Sequence, residues 1–294
     1  MTGGAATRED WATRRERGFV PLIRLMAWIA LRIGRPAAQL LLLPACAYFL
    51  LFSPKARAAG LVYLNRALGR PPTMVDRWRH YRCFAICVLD RVLLLNDRLD
   101  LFEISVRGEE IVMANRDNGG CFLFGAHLGS FEVIRAVGRL TAKVKLSLVM
   151  YQDNARKTNT VLTAINPALA IEIIGLGKPG SMLAVRDRLD EGHVVGILAD
   201  RSIVGERTAR IPFLGAPARF PIGPFRMAAM LRRPIVLMVG TYRGGRRYEV
   251  VFESISDGSD GAPIEETMRR YVALLEQHCR ETPYNWFNFY DFWA

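Results

Sequence analysis

His127 and Glu132 are the two residues whose chemistry and spacing first call for an explanation. They lie in Cys121-Phe122-Leu123-Phe124-Gly125-Ala126-His127-Leu128-Gly129-Ser130-Phe131-Glu132, with four residues between them. Residues 121–126 form a continuous apolar run, the pattern of a strand buried on both faces. Gly129 and Ser130 supply a turn and a helix cap. Glu132 falls in the first turn of the following helix, where a carboxylate suits the helix dipole. Open α/β sheets bind their ligands beyond the carboxyl ends of the strands, so His127 stands where a catalytic base is expected. Across such a turn Glu132 can fold back on the imidazole, fix its tautomer and stabilise the imidazolium, while the substrate's own hydroxyl serves as nucleophile. The same spacing also fits a histidine that caps a strand end and a solvated glutamate at a helix start.

A second polar group follows another strand. Asp200-Arg201, with Arg207, Arg210 and Arg219, places several cations around one acid past the apolar run 194–199. Such arginines could bind a phosphate, a phosphopantetheine or an acidic carrier protein; a solvated loop is the plainer alternative. Arg156 and Lys157 are further candidates for an anionic ligand. His193 precedes its strand, on the face opposite the expected site, and reads as structural. The five cysteines show no C-x-x-C spacing and the four histidines are scattered, so buried thiols in a reducing compartment are expected rather than a metal or disulfide site.

The elements that must position these residues alternate. Short β-rich runs occur at 101–106, 121–126, 144–151, 171–175, 194–199, 235–241 and 248–254, and helical patterns at 73–95, 130–140, 155–167, 180–191, 222–232 and 264–281. This order predicts an α/β fold with a mixed, largely parallel sheet flanked by helices. Gly244-Gly245 between the last two strands predicts an antiparallel hairpin. Ahead of this domain, residues 1–55 form a basic segment and an apolar anchor, so the chain divides into 1–55 and 56–294. The stretch from Phe19 to Arg35 alternates Arg24, Arg32 and Arg35 with Leu22, Leu25, Trp28, Ile29 and Leu31, a pattern suited to a membrane surface. Pro36 to Pro54 is the longest uncharged segment. It is close to the ~20 residues a spanning helix needs, with Pro44 as a kink; a span, a re-entrant hairpin and a buried core helix all fit. A cleaved signal peptide is disfavoured by the long polar region ahead of the apolar run. The aromatic run Trp286, Phe287, Phe289, Tyr290, Phe292 and Trp293 suits either the membrane interface or packing back on the core.

Composition narrows the classes. Hydrophobic residues make up 51% and the formal net charge is +12, while the mean hydropathy is +0.12. A basic surface attracts nucleic acid, anionic lipid or acidic protein. No basic recognition helix, zinc finger or aromatic RNA platform is present, which argues against a nucleic-acid partner. Gly-x-x-x-x-Gly-Lys-Ser/Thr and Gly-x-Ser-x-Gly are both absent, which argues against a P-loop nucleotidase and a serine esterase.

Gly125-Ala126-His127-Leu128-Gly129-Ser130-Phe131-Glu132 resembles the H-x4-E motif of the bacterial lipid A biosynthesis acyltransferases, relatives of the glycerolipid acyltransferases with their H-x4-D. Glu16-Arg17-Gly18, Gly196-Ile197-Leu198-Ala199-Asp200-Arg201, Pro212-Phe213-Leu214-Gly215 and Phe220-Pro221-Ile222-Gly223-Pro224 are similar to other blocks of that family. The resemblance runs from about residue 10 to the end. It implies a glycerolipid acyltransferase-like fold with an N-terminal membrane-associated helix. It also implies an O-acyltransferase with His127 as base and Glu132 as its partner, and a site lined by Asp200 and the basic residues after it, Arg201 and Arg210 among them. The donor would be an acyl thioester on acyl carrier protein or coenzyme A, with no other cofactor and no metal. The acceptor would be a membrane lipid or glycolipid, and the enzyme would sit at the bilayer on the cytoplasmic side of the bacterial inner membrane. Two blocks depart from the pattern. Phe220-Pro221-Ile222-Gly223 lacks the acid of the glycerolipid F-P-E-G, which speaks against a simple glycerol phosphate acceptor. The loop Gln152-Asp153-Asn154-Ala155-Arg156 only loosely matches its counterpart. A non-catalytic lipid-binding protein on the same scaffold, or a hydrolase in which His127 activates water, are the other readings.

Overall fold

The computed structural model describes residues 20–140, 144–151, 165, 172–177, 180–203, 205–258 and 261–294, apart from the side chains of 20–24, 139 and 140. Apart from residue 165, the expected helix at 155–167 falls outside these residues, as do Arg156, Lys157 and the segment before residue 20.

Apolar runs became strands close to where the sequence placed them. The main sheet holds β1 (Glu103–Arg107), β2 (Cys121–Gly125), β3 (Leu146–Tyr151), β4 (Glu172–Leu176), β5 (Val194–Leu198), β8 (Ile235–Gly244) and β9 (Arg247–Ser256) in the order β1-β9-β8-β2-β5-β3-β4. The pairs β8–β2, β2–β5, β5–β3 and β3–β4 are parallel, whereas β8 and β9 form an antiparallel hairpin. Gly245 and Arg246 make its turn, and Gly244 and Gly245 take left-handed φ of 97° and 62° where the chain reverses. β2 is buried at all five positions, as befits the strand between two parallel neighbours.

The remaining strands, β6 (Thr208–Phe213) and β7 (Ala216–Pro221), form a separate two-stranded antiparallel ribbon. The sequence showed only a basic loop there. Pro212, Pro217 and Pro221 cannot donate to a ladder, which disguises the strands, but an isolated ribbon has two free edges that tolerate proline. Leu214 and Gly215, at φ 51° and 78°, close it.

Helices α1 (Val20–Arg32), α2 (Arg35–Phe52), α3 (Pro54–Leu68) and α4 (Met74–Leu95) precede the sheet, and α5 (Glu109–Asp117), α6 (Phe131–Leu140), α7 (Ser181–Asp190), α8 (Gly223–Leu231) and α9 (Ile264–Glu281) flank it. Helix α4 starts with a reciprocal cap in which Thr73 accepts from the Asp76 amide and Asp76 accepts from the Thr73 amide. Helix α2, the uncharged segment of the sequence, is a single helix through Pro44. It is the one described helix long and apolar enough to cross a membrane. Its first residue, Arg35, packs into the protein. Arg35 is buried, donates to both oxygens of Asp90 on α4 at 2.7 and 2.8 Å, and shares that carboxylate with the Tyr248 hydroxyl at 2.8 Å. Leu40, Leu41, Leu43, Tyr48, Phe49, Leu51 and Phe52 leave the outer face of α2 apolar and exposed.

The five cysteines are all buried and form no disulfide. The C-terminal aromatic run packs inward. Trp286, Phe287 and Phe292 are buried, and Trp286 is fully so. Its ring meets Tyr63, Phe213 and Phe292 at 4.8, 5.3 and 4.7 Å between centroids.

Candidate active site

Sheet register brings the chemistry together. Gly125, the last residue of β2, pairs with Leu198, the last of β5. His127 and Asp200 each lie two residues beyond, so the two chains carry them side by side past the carboxyl edge. The Ala199 amide continues the pairing by donating to the Gly125 carbonyl at 3.0 Å. His127 Nδ1 then lies 2.8 Å from Asp200 Oδ1, and the His127 amide donates to Oδ2 at 3.1 Å.

Asp200 is wholly buried, and an ionised carboxylate there needs full hydrogen bonding. Besides His127, Trp286 Nε1 donates to Oδ2 at 3.3 Å and Asn288 Nδ2 at 3.2 Å. Burial works against the charge, but His127, its hydrogen bonds and the Arg201 guanidinium outweigh it and hold the carboxyl well below the usual carboxylate range. A carboxylate only accepts, so Nδ1 carries the proton and Nε2 is the basic nitrogen. The imidazole is held below its ordinary value of 6.5 by burial first, then by Arg201, with Arg91 adding to them and Asp200 opposing. The resting state is a neutral imidazole donating to an ionised Asp200. The ring keeps 27% of its side-chain surface exposed, enough to meet a substrate.

The turn after His127 is tightly specified. Gly129 has φ 75°, and a Cβ there would sit 2.0 Å from the Gly240 carbonyl oxygen. The Gly129 amide donates to the Asn285 carbonyl at 2.8 Å and the Ser130 amide to the Gly240 carbonyl at 2.7 Å. These amides, like that of His127, are committed to protein acceptors.

The structure revises the expectation for Glu132. Helix α6 begins at Phe131, so Glu132 lies in its first turn as expected. Its carboxylate, however, turns to α4 rather than back to the imidazole. Oε1 lies 2.8 Å from Arg91 Nε as an ion pair without the alignment of a good hydrogen bond, and Ser130 Oγ donates to Oε2 at 3.3 Å. The carboxylate on the ring is that of Asp200. The reason is geometric: the Gly240 contact fixes the turn, and the helix that starts there aims its first-turn side chain at the neighbouring α4.

Arg201 joins the cluster. Its Nε donates to Asn288 Oδ1, its Nη2 to the Phe287 carbonyl at 2.9 Å, and its guanidinium lies 5.5 Å from the Tyr290 ring centroid. Arg210 stands exposed on β6, opposite Arg219 across the ribbon, and no bond joins it to the His127 cluster among the described residues. His193 bonds Ser147 at 2.9 Å at the amino end of β5, away from His127, as its sequence position implied. A surface groove lined by Ile211, Pro212, Glu276 and Arg280 lies between the ribbon and α9; no residue of the His127 cluster borders it.

Sequence reading missed Arg91, Trp286 and Asn288. The two asparagines inside the aromatic run, Asn285 and Asn288, were the available signal, because a buried amide among aromatic rings must be satisfied by something.

The sheet is largely parallel, and a carboxylate-bound histidine lies just beyond the carboxyl end of its central strand, where open α/β sheets bind their ligands. The family of bacterial lipid A biosynthesis acyltransferases matches residues 70–294, and no curated protein matches the chain. The protein belongs to the bacterial lipid A biosynthesis acyltransferase family. It is accordingly an acyltransferase for lipid A-type substrates.

Proposed function

We propose that the protein moves a fatty acyl chain from a thioester, carried by acyl carrier protein or coenzyme A, to a hydroxyl of a lipid A precursor or a related envelope glycolipid. His127 Nε2 takes the hydroxyl proton as the oxygen attacks the thioester carbonyl. Asp200, hydrogen-bonded to Nδ1, stabilises the imidazolium that forms. The tetrahedral intermediate collapses with cleavage of the C–S bond. The imidazolium returns its proton to the departing thiolate, leaving an ester and a free thiol. A positioned base of this kind contributes on the order of 10² to 10⁴ in rate. The observation that carries the reading is the 2.8 Å contact between His127 Nδ1 and a buried, fully hydrogen-bonded Asp200 at the carboxyl edge of the sheet.

Developing negative charge on the carbonyl oxygen needs a donor or a cation. The amides of His127, Gly129 and Ser130 are committed to protein acceptors, and we assign this role to the Arg91 cation. It stays 38% exposed beside Glu132 and its charge already acts on the imidazole. Glu132 thus serves the site as the partner of Arg91. Exposed Leu25 and Trp28 on α1, Ile33 just after it, the outer face of α2, and Phe84 and Val88 on α4 supply apolar surface for a bilayer. The net charge of +12 suits anionic headgroups and an acidic carrier. We assign that bilayer contact to the cytoplasmic side of the inner membrane, a reading the resemblance of the sequence supports.

The test is label transfer from acyl-carrier protein to total envelope lipid in detergent, for wild type and His127→Ala, with folding of both checked by circular dichroism. Label in a lipid with wild type alone is the expected result, and its mass names the acceptor. Wild-type turnover by a folded His127→Ala protein would remove His127 as base. Loss of label to water as free fatty acid would make the protein a hydrolase.

A further inference from the structure

We propose that the C-terminal segment is part of the active-site machinery, with Asn288 and Trp286 as positioning residues that keep Asp200 aimed at His127 and hold Arg201 off it; this rests on His127 as the base.

Asp200 and Arg201 are adjacent and oppositely charged, the first wholly buried and the second half-buried. A guanidinium beside a carboxylate tends to take it in a two-pronged pair. Such a pair would draw the carboxylate from the imidazole and cancel the field that stabilises the imidazolium. In the structure the two charges are kept apart by one side chain. Asn288, 1% exposed, donates from Nδ2 to Asp200 and accepts at Oδ1 from Arg201 Nε. A side-chain amide does both at once, through two different atoms. Chemistry also fixes which end points where, because the reversed amide would set oxygen against carboxylate and NH2 against guanidinium. The Phe287 carbonyl takes the second prong of Arg201.

The carboxylate is locked as well. Asp200 Oδ2 receives the His127 amide, Trp286 Nε1 and Asn288 Nδ2, while Oδ1 faces His127 Nδ1. Three donors on one oxygen set the plane of the carboxylate and leave the other for the ring. The segment itself is fastened to the catalytic turn. The Phe287 amide donates to the His127 carbonyl at 2.8 Å, the Gly129 amide donates to the Asn285 carbonyl, and Leu128 bridges Trp286 in antiparallel fashion. Asn285 is held in turn by the Tyr242 amide at 2.8 Å. A tail that only filled space would do so with apolar groups; this one spends its polar atoms on the two charged groups behind the base.

The experiment compares wild type, Asn288→Ala, Arg201→Met and the double variant in the same label-transfer assay, with kcat, KM and the pH dependence of kcat/KM for folded protein. In Asn288→Ala, Arg201 is free to pair with Asp200. The imidazolium loses support, kcat falls about 10- to 100-fold with KM within about twofold, and the acid limb of the profile moves to lower pH. In the Arg201→Met background the same substitution costs several-fold less, because the competing cation is gone. A purely structural residue would lower the folded fraction without moving the acid limb or depending on Arg201. Wild-type kcat and an unmoved limb in folded Asn288→Ala would overturn the proposal. If Asn288→Ala does not fold, Trp286→Phe decides, since it keeps the ring and removes one N–H. A several-fold fall in kcat supports the proposal and unchanged kcat overturns it. His127→Ala run alongside separates the two ideas, because an active His127→Ala protein refutes the base and not the positioning contacts.

Discussion

Asp200→Asn is the substitution that separates the two carboxylates competing for the role of orienting acid. Asparagine keeps the size of the side chain but offers one oxygen and one NH2 group. The three N–H donors of His127, Trp286 and Asn288 converge on Oδ2, so the amide oxygen must stay there. The NH2 then faces His127 Nδ1. That nitrogen becomes an acceptor, the ring proton moves to Nε2, and the nitrogen that should take the substrate proton no longer can. The electrostatic loss adds to this. Two unit charges about 4 Å apart at an effective dielectric of about 20 attract by about 4 kcal/mol, which is on the order of 10³ in rate. In the serine protease triad the same exchange of carboxylate for amide costs about 10⁴ in kcat through the wrong tautomer. The expected fall for Asp200→Asn is therefore about 10³- to 10⁴-fold in kcat, with acceptor KM little changed. The assay is single-turnover transfer from labelled acyl-carrier protein, with a thermal melt to confirm the fold. A folded Asp200→Asn protein within about tenfold of wild-type kcat, alongside a larger loss in Glu132→Gln, would refute the assignment and return the orienting role to Glu132.

Two more outcomes follow from the same geometry. Glu132→Gln leaves the Arg91 charge uncompensated beside the ring, further disfavouring imidazolium, so kcat should fall about tenfold and the acid limb of kcat/KM move to lower pH; in an Arg91→Met background the cost should shrink to under about threefold, and equal costs in both backgrounds would detach Glu132 from Arg91. His80 is fully enclosed, donates from Nε2 to the Trp286 carbonyl at 2.8 Å, and is lowered by burial to about 4. With the unfolded value near 6.5, the unfolded chain binds a proton that the folded chain refuses as pH falls from 6.5 to 4, so stability present above that window is lost through it, by roughly 3 kcal/mol in all. Chemical denaturation across this range should show the loss, and His80→Gln, which titrates nothing, should remove most of it; an unchanged slope would place the acid sensitivity elsewhere.

The sheet and the position of His127 could be read from the chain because both are local signals. Apolar runs of strand length, a glycine pair between the last two of them, and a histidine directly after the most apolar run needed no partner to be recognised. Asp200 could be read as a site residue, but its bond to His127 could not, because that depends on the pairing of Gly125 with Leu198 across 73 residues. A single sequence carries no register. Proximity in sequence favoured Glu132 instead, and the helix geometry that turns it toward Arg91 becomes visible only once α4 is in place. Arg35 shows the same limit: the sequence places it in a basic stretch ahead of the apolar helix, and only the packing of α2 on α4 reveals Asp90 opposite it.

The C-terminal run shows where the limit lies. Its aromatic content announced burial or a membrane, and both readings rest on composition. Its function in the site rests on two polar positions, Trp286 Nε1 and the Asn288 amide, whose partners come from a strand end about 86 residues away. A motif search weights the residues that touch substrate and passes over those that hold them. Here the holding residues, Trp286 and Asn288, lie far along the chain from both, so the His127 loop, the β5 end and this segment must all come together before the base has its carboxylate. The site is therefore assembled by the slowest kind of contact, those between distant parts of the chain. A truncation before Asn285 removes two of the donors to Asp200, Trp286 Nε1 and Asn288 Nδ2, together with the Asn288 and Phe287 acceptors that hold Arg201.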